Sequence, residues 1–250
     1  MRSLLLQGMM LAVIRRGTRE GWEMTYVGLL KSWATVLAAM LAALLLSIAA
    51  FSTGAEAQDA GCTGQVVLDA GHGGTDSGAV NAKYNLTEKE QTLNVANRTK
   101  ALLKADGYSV CMTRTSNVET LSNNDRYTYA NTTGARVLVS VHMNGASNPS
   151  TDYTTTLFGK WRKDKALANT VFGSLSTLPA AGGTGKIATR TPYSFASGVL
   201  LKSNMPATIA ETVFITSDRE GQLLSDGTGA RQQQIAEALK TGIEDYLTTP

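Results

Sequence analysis

The sequence predicts an α/β fold: a single domain with a mostly parallel central sheet flanked by helices. Short apolar stretches rich in β-branched residues alternate with segments whose apolar residues recur every three or four positions, which is typical of β-α-β units. The chain has 250 residues, 43% hydrophobic and 17% charged, enough to bury one sizeable core. We therefore expect a globular domain over residues 58–250, preceded by an N-terminal extension over residues 1–57.

The N-terminal extension contains an uncharged apolar segment. Residues 32–51 carry no charge over twenty positions, which is long enough for an export signal or for a membrane span. The sequence AEA at residues 55–57 is typical of a signal-peptidase site. We expect cleavage before Gln58 and export, with a retained membrane anchor as the alternative. Met24 would give a more ordinary signal peptide than Met1, and both starts stay open.

The charge and the cysteines limit the partners of the exported part. Residues 1–57 contribute +2 of the formal +3, which leaves residues 58–250 at +1. A near-neutral domain lacks the basic surface of a nucleic-acid-binding protein, so we expect no nucleic-acid partner.

Cys62 and Cys111 both follow the expected cleavage site and would meet an oxidising compartment. A disulfide and two buried free thiols are equally compatible with their positions.

The first predicted strand, residues 65–70, is an apolar run that ends at a glycine turn, and residues 71–86 form a glycine-rich loop. A helix follows. Thr87 and Glu90 have the spacing of a capping box, in which the Thr87 hydroxyl accepts from the backbone N–H of the third helical residue and Glu90 reaches back to the cap. The helix ends at an Asp-Gly turn that leads into a strand over residues 108–113.

The middle of the chain continues the alternation. Residues 121–133 predict a helix and residues 137–142 an apolar strand, and residues 153–158 are a further strand candidate. The next amphipathic helix is marked by apolar residues four positions apart, namely Leu167, Val171 and Leu175. Residues 179–197 are rich in small polar residues and lack periodicity, so they predict a loop beside the site.

The last strand contains an unusual carboxylate. Residues 207–214 are apolar except for Glu211 and two threonines, and a carboxylate in a buried strand is costly unless it is paired, hydrogen-bonded or functional. Residues 230–247 predict the closing helix. One face of this helix is apolar and consists of Ile235, Leu239, Ile243 and Tyr246.

The chain has only two histidines, His72 and His142, and they occupy matching positions at the ends of two predicted parallel strands. Side chains at the carboxyl ends of such strands converge, and Glu88, at the first position of a helix, can join them. Two histidines and a glutamate are the ligands of a catalytic zinc site that keeps its fourth position for water, with Glu211 left as a base. Histidines at strand ends can have a purely structural role, and an acidic residue in the first turn of a helix can be explained by the helix dipole. The spacing of these three residues alone is therefore not diagnostic of a metal site.

Five motifs follow one another along residues 65–247, namely LDAGHGG (68–74), EKE (88–90), MTR (112–114), SVHMN (140–144) and IAETVF (209–214). In this order they resemble the motifs of the zinc-dependent N-acetylmuramoyl-L-alanine amidases of the type 3 family. The resemblance implies that His72, Glu88 and His142 bind zinc. It also implies that Glu211 is the catalytic acid/base.

The implied activity is peptidoglycan hydrolysis at the amide between N-acetylmuramic acid and L-alanine of the stem peptide, by zinc-activated water. Zn²⁺ would be the cofactor, peptidoglycan the partner and the periplasm or cell wall the location, with a possible activator protein unknown. Arg126 and Asn144 are the expected substrate residues, although an exposed helix charge explains Arg126 equally well. The glycines after the first strand would leave room beside the metal for the glycan peptide.

Two other functions stay open. One is another zinc-dependent peptidoglycan peptidase, and the other is a non-catalytic wall-binding protein that has kept the fold. The presence of all four chemical groups disfavours the second. Free stem peptides that begin with L-alanine would identify the amidase, whereas shortened stems would identify a peptidase.

Overall fold

The computed structural model describes Asp59 and residues 61–249. The predicted export segment, the cleavage site before Gln58 and the choice between Met1 and Met24 lie outside these residues. Within them, no helix combines the length and the apolar character needed to cross a membrane.

A six-stranded, mostly parallel sheet forms the centre of the domain. The strands in chain order are β1 (Val66–Ala70), β2 (Val80–Asn81), β3 (Leu86–Thr87), β4 (Val110–Met112), β5 (Val137–Asn144), β6 (Thr155–Phe158), β7 (Tyr193–Ser194) and β8 (Ala207–Phe214). The sheet order is β4-β1-β5-β8-β6-β7, and β2 pairs with β3 in a separate hairpin. Strands β1, β4, β5 and β8 are mutually parallel, whereas β6 is antiparallel to β8 and parallel to β7. The predicted fold class is confirmed.

Helices cover both faces of the sheet. In chain order they are α1 (Glu88–Ala105), α2 (Asn123–Thr132), α3 (Trp161–Leu175), α4 (Gly198–Lys202), α5 (Asp218–Leu224) and α6 (Ala230–Thr248). Helices α1, α3 and α6 pack in one apolar core with Val66 and Leu68 of β1, and helices α2 and α4 share a second core with Val67. This alternation along β1 follows from the two-residue period of a strand that is buried on both faces. Helices α4 and α5 are too short for a periodic signal, and the sequence did not predict them.

Three local predictions were wrong. The Thr87 side chain makes no cap, and its hydroxyl instead donates to Glu90 Oε2 at 2.8 Å. The first N–H groups of α1 donate to loop carbonyls, with the Glu88 N–H on Ala79 O at 2.9 Å. Strand β5 continues two residues beyond His142, so this histidine lies within the carboxyl end of the strand. The predicted loop over residues 179–197 contains the short edge strand β7.

Cys62 and Cys111 form a disulfide. The bond ties the segment before β1 to the edge strand β4, and both residues contribute to the second core. The sequence left this pairing open, and the structure decides it in favour of the bridge.

Candidate active site

Two histidines and a buried glutamate converge at the carboxyl end of the sheet. Oε1 of Glu88 lies 3.0 Å from Nε2 of His72 and 3.0 Å from Nδ1 of His142. One ligand atom from each of the three residues falls within 4.8 Å of the others. The sequence predicted this convergence from positions on β1, α1 and β5, and the structure brings all three side chains together.

The donor set fits a metal ion with an open coordination position. His72 Nδ1 lies 2.8 Å from Asp76 Oδ2, so that carboxylate can hold a proton on Nδ1 and Nε2 would be the ring nitrogen that ligates a metal ion. Such a carboxylate behind a ligating imidazole fixes both the tautomer and the ring orientation. Two imidazoles and one carboxylate are the ligands of catalytic zinc sites that reserve a fourth position for water.

Glu88 is fixed in its ionised form. Its Oε2 accepts a hydrogen bond from the Ala79 N–H at 2.8 Å, and its Oε1 accepts one from the Met143 N–H at 3.0 Å. Burial alone would raise the pKa of Glu88, but hydrogen bonds and charge from His142 and His72 hold this pKa well below its ordinary value. Backbone donors from two separate elements therefore position the carboxylate before any metal binds.

Glycines bring the ligands together. A Cβ on Gly71 would lie 2.4 Å from the His142 ring, and a Cβ on Gly78 would lie 2.6 Å from both the Glu88 carboxylate and the His72 ring. His72 itself adopts a left-handed backbone with φ 60, a strained conformation that is common at functional sites. At Gly71 and Gly78, the candidate ligand side chains fill the space that the sequence analysis assigned to the substrate.

Glu211 lies beside the three candidate ligands. Its Cα pairs with that of His142 across β5 and β8. Both side chains line a cleft of about 420 Å³ together with His72. Burial raises the pKa of Glu211 above its ordinary value. A raised pKa makes the carboxylate a better proton acceptor, which is what the general-base step requires.

A buried ion pair supports the loop that carries His72. Arg126 donates to Asp69 Oδ1 at 2.7 Å, and also to the carbonyls of Ala70 and His72 at 2.8 Å each. Arg126 is only 5% exposed, so the interpretation as an exposed helix charge was wrong. The contacts of Arg126 in the structure hold the backbone at the end of β1. A contact between Arg126 and the substrate stays a prediction.

Asp69 is fully buried and has further partners. Thr113 Oγ1 donates to it at 2.6 Å, and Ser140 Oγ donates to its other oxygen. Burial opposes ionisation, but the Arg126 charge and these hydroxyl donors lower the pKa of Asp69 overall. The sequence analysis missed Asp69, although a lone carboxylate within an apolar strand was the same signal that singled out Glu211.

Arg114 is a second support that the sequence analysis missed. It is completely buried, and it donates to the carbonyls of Ala70 and Gly71 at 2.9 Å each and to the carbonyl of Lys89 at 2.7 Å. Burial lowers its pKa to about 10, so the guanidinium stays charged at neutral pH. Its carbonyl bonds connect the end of β1 to the first turn of α1.

Asn144 lies near the end of β5, two residues beyond His142. Its Nδ2 is buried and has no hydrogen-bond partner among the described residues. Asn144 is not among the residues that line the cleft, and its predicted substrate contact stays a prediction.

The far wall of the cleft comes from residues 193–199. Tyr193 and Phe195 line it, and Phe195 is 48% exposed. The sequence predicted that residues 179–197 form a loop beside the site. The two aromatic residues within this stretch of small residues could have indicated that it forms a wall of the cleft.

Comparison with known proteins identifies similar chains. The model of the N-acetylmuramoyl-L-alanine amidase family matches residues 66–245. The amidase AmiA of Salmonella typhimurium is 28% identical over 222 residues, an alignment that covers 73% of this chain and 75% of AmiA. The solved amidase AmiC2 of Nostoc punctiforme gives a TM-score of 0.65 at 30% identity, with coverage of 74% of this chain and 97% of AmiC2. The CwlD amidase of Clostridioides difficile, solved in complex with the GerS lipoprotein, gives a TM-score of 0.64 at 25% identity, with coverage of 74% and 99%.

Proposed function

The chain belongs to the N-acetylmuramoyl-L-alanine amidase family and is a peptidoglycan hydrolase, and on this premise we propose that His72, Glu88 and His142 hold a zinc ion and that Glu211 moves the proton. The bond cleaved is the amide between N-acetylmuramic acid and L-alanine of the stem peptide. The observation that carries the zinc proposal is the convergence of both imidazoles on the same oxygen of Glu88.

The chemistry of the reaction explains why these residue types are needed. An unstrained amide requires both a nucleophile and stabilisation of the tetrahedral oxyanion. Zinc, when bound, supplies both by lowering the pKa of a water molecule to roughly 7 and by polarising the carbonyl.

Glu211 supplies the proton transfer. Its carboxylate takes the proton of the attacking water and returns it to the leaving amine nitrogen, so the same residue acts first as base and then as acid. Burial raises its pKa, which makes the carboxylate a stronger base for the first step. The His142–Glu211 cross-strand pairing supports this role because it sets the carboxylate beside the candidate ligands.

Two variants separate metal binding from proton transfer. We expect Glu211→Gln to keep bound zinc and to lose turnover, whereas His142→Ala should lose both. Metal analysis of the purified variants and a digestion assay on purified peptidoglycan measure the two properties. Wild-type activity in Glu211→Gln would overturn the proton-transfer role, and full zinc content in His142→Ala would overturn the ligand role.

Mass spectrometry of the products identifies the cleaved bond. Free stem peptides that begin with L-alanine are expected. Shortened stems would indicate a peptidase, and binding of wall material without any peptide release would indicate a wall-binding protein.

Two further proposals concern the export of the protein and its activator. We propose that residues 1–57 direct export to the periplasm or cell wall and that residues 58–250 are the zinc amidase catalytic domain. CwlD was solved with a lipoprotein, so a lipoprotein is the class of activator to test with this chain. Cell fractionation of a tagged full-length protein tests the export, and recovery in the cytoplasm would contradict it.

A further inference from the structure

An exposed arginine stacks on a cleft-lining tyrosine and contacts a second tyrosine. The Arg190 guanidinium carbon lies 4.6 Å from the centre of the Tyr193 ring, and Nη1 donates to the Tyr153 hydroxyl at 3.4 Å. A stacked guanidinium has fewer free rotamers than a solvated one, so it loses less entropy when it binds a further partner.

The positive charge of Arg190 is not compensated. Within the described part of the chain, no carboxylate lies within salt-bridge distance of Arg190, and its guanidinium contacts the phenol side chains of Tyr153 and Tyr193. A cation that stacks on a cleft-lining residue and has no counter-charge favours an anionic ligand. The planar guanidinium matches a carboxylate in particular, because its N–H groups can bond both oxygens.

The sheet places Arg190 at a defined distance from the candidate catalytic residue. The Arg190 N–H donates to the Thr154 carbonyl at 3.0 Å, and the next residue, Thr155, pairs with Glu211 across β6 and β8. Neighbouring strands are about 4.8 Å apart, so the Arg190 backbone lies about 10 Å from that of Glu211. Tyr193, which carries the stacked guanidinium, itself lines the cleft.

The proposed substrate has free carboxylates within reach of a residue that lies two strands from Glu211. The lactyl carboxyl of muramic acid is consumed in the scissile amide, so the free carboxylates near this bond belong to the stem peptide. An extended peptide advances about 3.3–3.6 Å per residue, so a carboxylate about three residues from the scissile bond lies about 10 Å away. We propose that Arg190 binds a carboxylate of the stem peptide and makes the enzyme prefer acidic stems to amidated ones. This inference rests on the proposed amidase function.

The test compares two synthetic muramyl peptides that differ only in whether the stem carboxylates are free or converted to carboxamides. The zinc-loaded full-length protein and the variants Arg190→Gln and Arg190→Lys are assayed for kcat/KM on both substrates. The matched control is Arg162→Gln, an exposed arginine at the start of α3, away from the cleft-lining residues. Thermal unfolding of each variant confirms that it is folded.

We expect the wild type to prefer the acidic stem by about tenfold, as one partly exposed charge-assisted contact provides. Arg190→Gln should lose this preference by becoming slower on the acidic stem alone, through a higher KM, whereas Arg190→Lys should keep part of it. Added salt should reduce the wild-type preference, and Arg162→Gln should retain it.

The outcomes separate this inference from the proposed function. If the wild type releases L-alanine-initiated stems from both substrates without preference, or if Arg190→Gln slows both equally or neither, the Arg190 inference is overturned and the amidase function stands. If the wild type cleaves a different bond or neither substrate, both are overturned.

Discussion

Arg126 and Asp69 form a buried ion pair, 2.7 Å apart, directly beneath the loop that delivers His72. Asp69 is fully buried and Arg126 is 5% exposed. The same guanidinium also donates to the His72 carbonyl. The pair therefore connects the interior of β1 to the backbone of a candidate metal ligand, and it contributes to stability and to the site together.

Arg126→Met is expected to destabilise the domain by about 3–5 kcal/mol, because it leaves the Asp69 charge buried and uncompensated. The double variant Asp69→Asn/Arg126→Met should recover part of this loss, since no unpaired charge remains. Urea unfolding of the three proteins measures both effects. A single variant as stable as the wild type, or a double variant less stable than the single one, would contradict the role of the pair.

Asp76→Asn is expected to weaken zinc binding by about 10- to 100-fold, since it removes the carboxylate that orients the His72 ring. Asp76 is exposed, so stability should change little. Competition with a zinc-chelating dye measures the affinity. Asp226→Asn is the control, because Asp226 is also exposed and bonds only near its own turn. Equal zinc affinities in both variants would show that Asp76 does not support the metal site.

Gly71→Ala tests the close approach of β1 to His142. The new Cβ would lie 2.4 Å from the His142 ring, so the ring must move. We expect a stability loss of about 1–3 kcal/mol and weaker zinc binding. Gly173→Ala is the matched control, because a Cβ there meets nothing within 4 Å and should stabilise the α3 helix by about 1 kcal/mol. Normal zinc affinity in Gly71→Ala would show that the ring position is not critical.

The sequence was sufficient for the long elements and for the proximity of the candidate site residues. Strands such as residues 207–214 and helices such as residues 230–247 carry strong periodic patterns, and the structure places them almost at the predicted bounds. His72, Glu88, His142 and Glu211 came from ordered motifs, and the structure brings the three candidate ligands together with Glu211 beside His142.

The supporting contacts could not be predicted because each depends on partners far along the chain. Arg114 bonds carbonyls more than 40 residues before it, and local sequence gives no sign that its charge is buried. The predicted Thr87 cap failed because the Thr87 hydroxyl donates to the Glu90 carboxylate, while the N–H groups of Glu88 and Lys89 donate to the Ala79 and Ser77 carbonyls. A local pattern does not reveal such backbone contacts with a preceding loop.

Removal of the disulfide is expected to lower the stability of the domain but not its catalytic activity. The Cys62–Cys111 bond closes a loop with a sequence separation of 49, which restricts the unfolded chain by an amount worth about 4 kcal/mol in the loop-closure model. Replacing both cysteines with alanine should therefore lower the free energy of unfolding by about 2–4 kcal/mol. The bond lies at the edge strand β4, and neither cysteine lines the cleft, so kcat/KM on peptidoglycan should not change at temperatures where the variant stays folded. Urea unfolding with and without a reductant provides the check. The reductant should destabilise the wild type and leave the double variant unaffected, whereas a folded double variant with reduced turnover would show that the bond also positions the site.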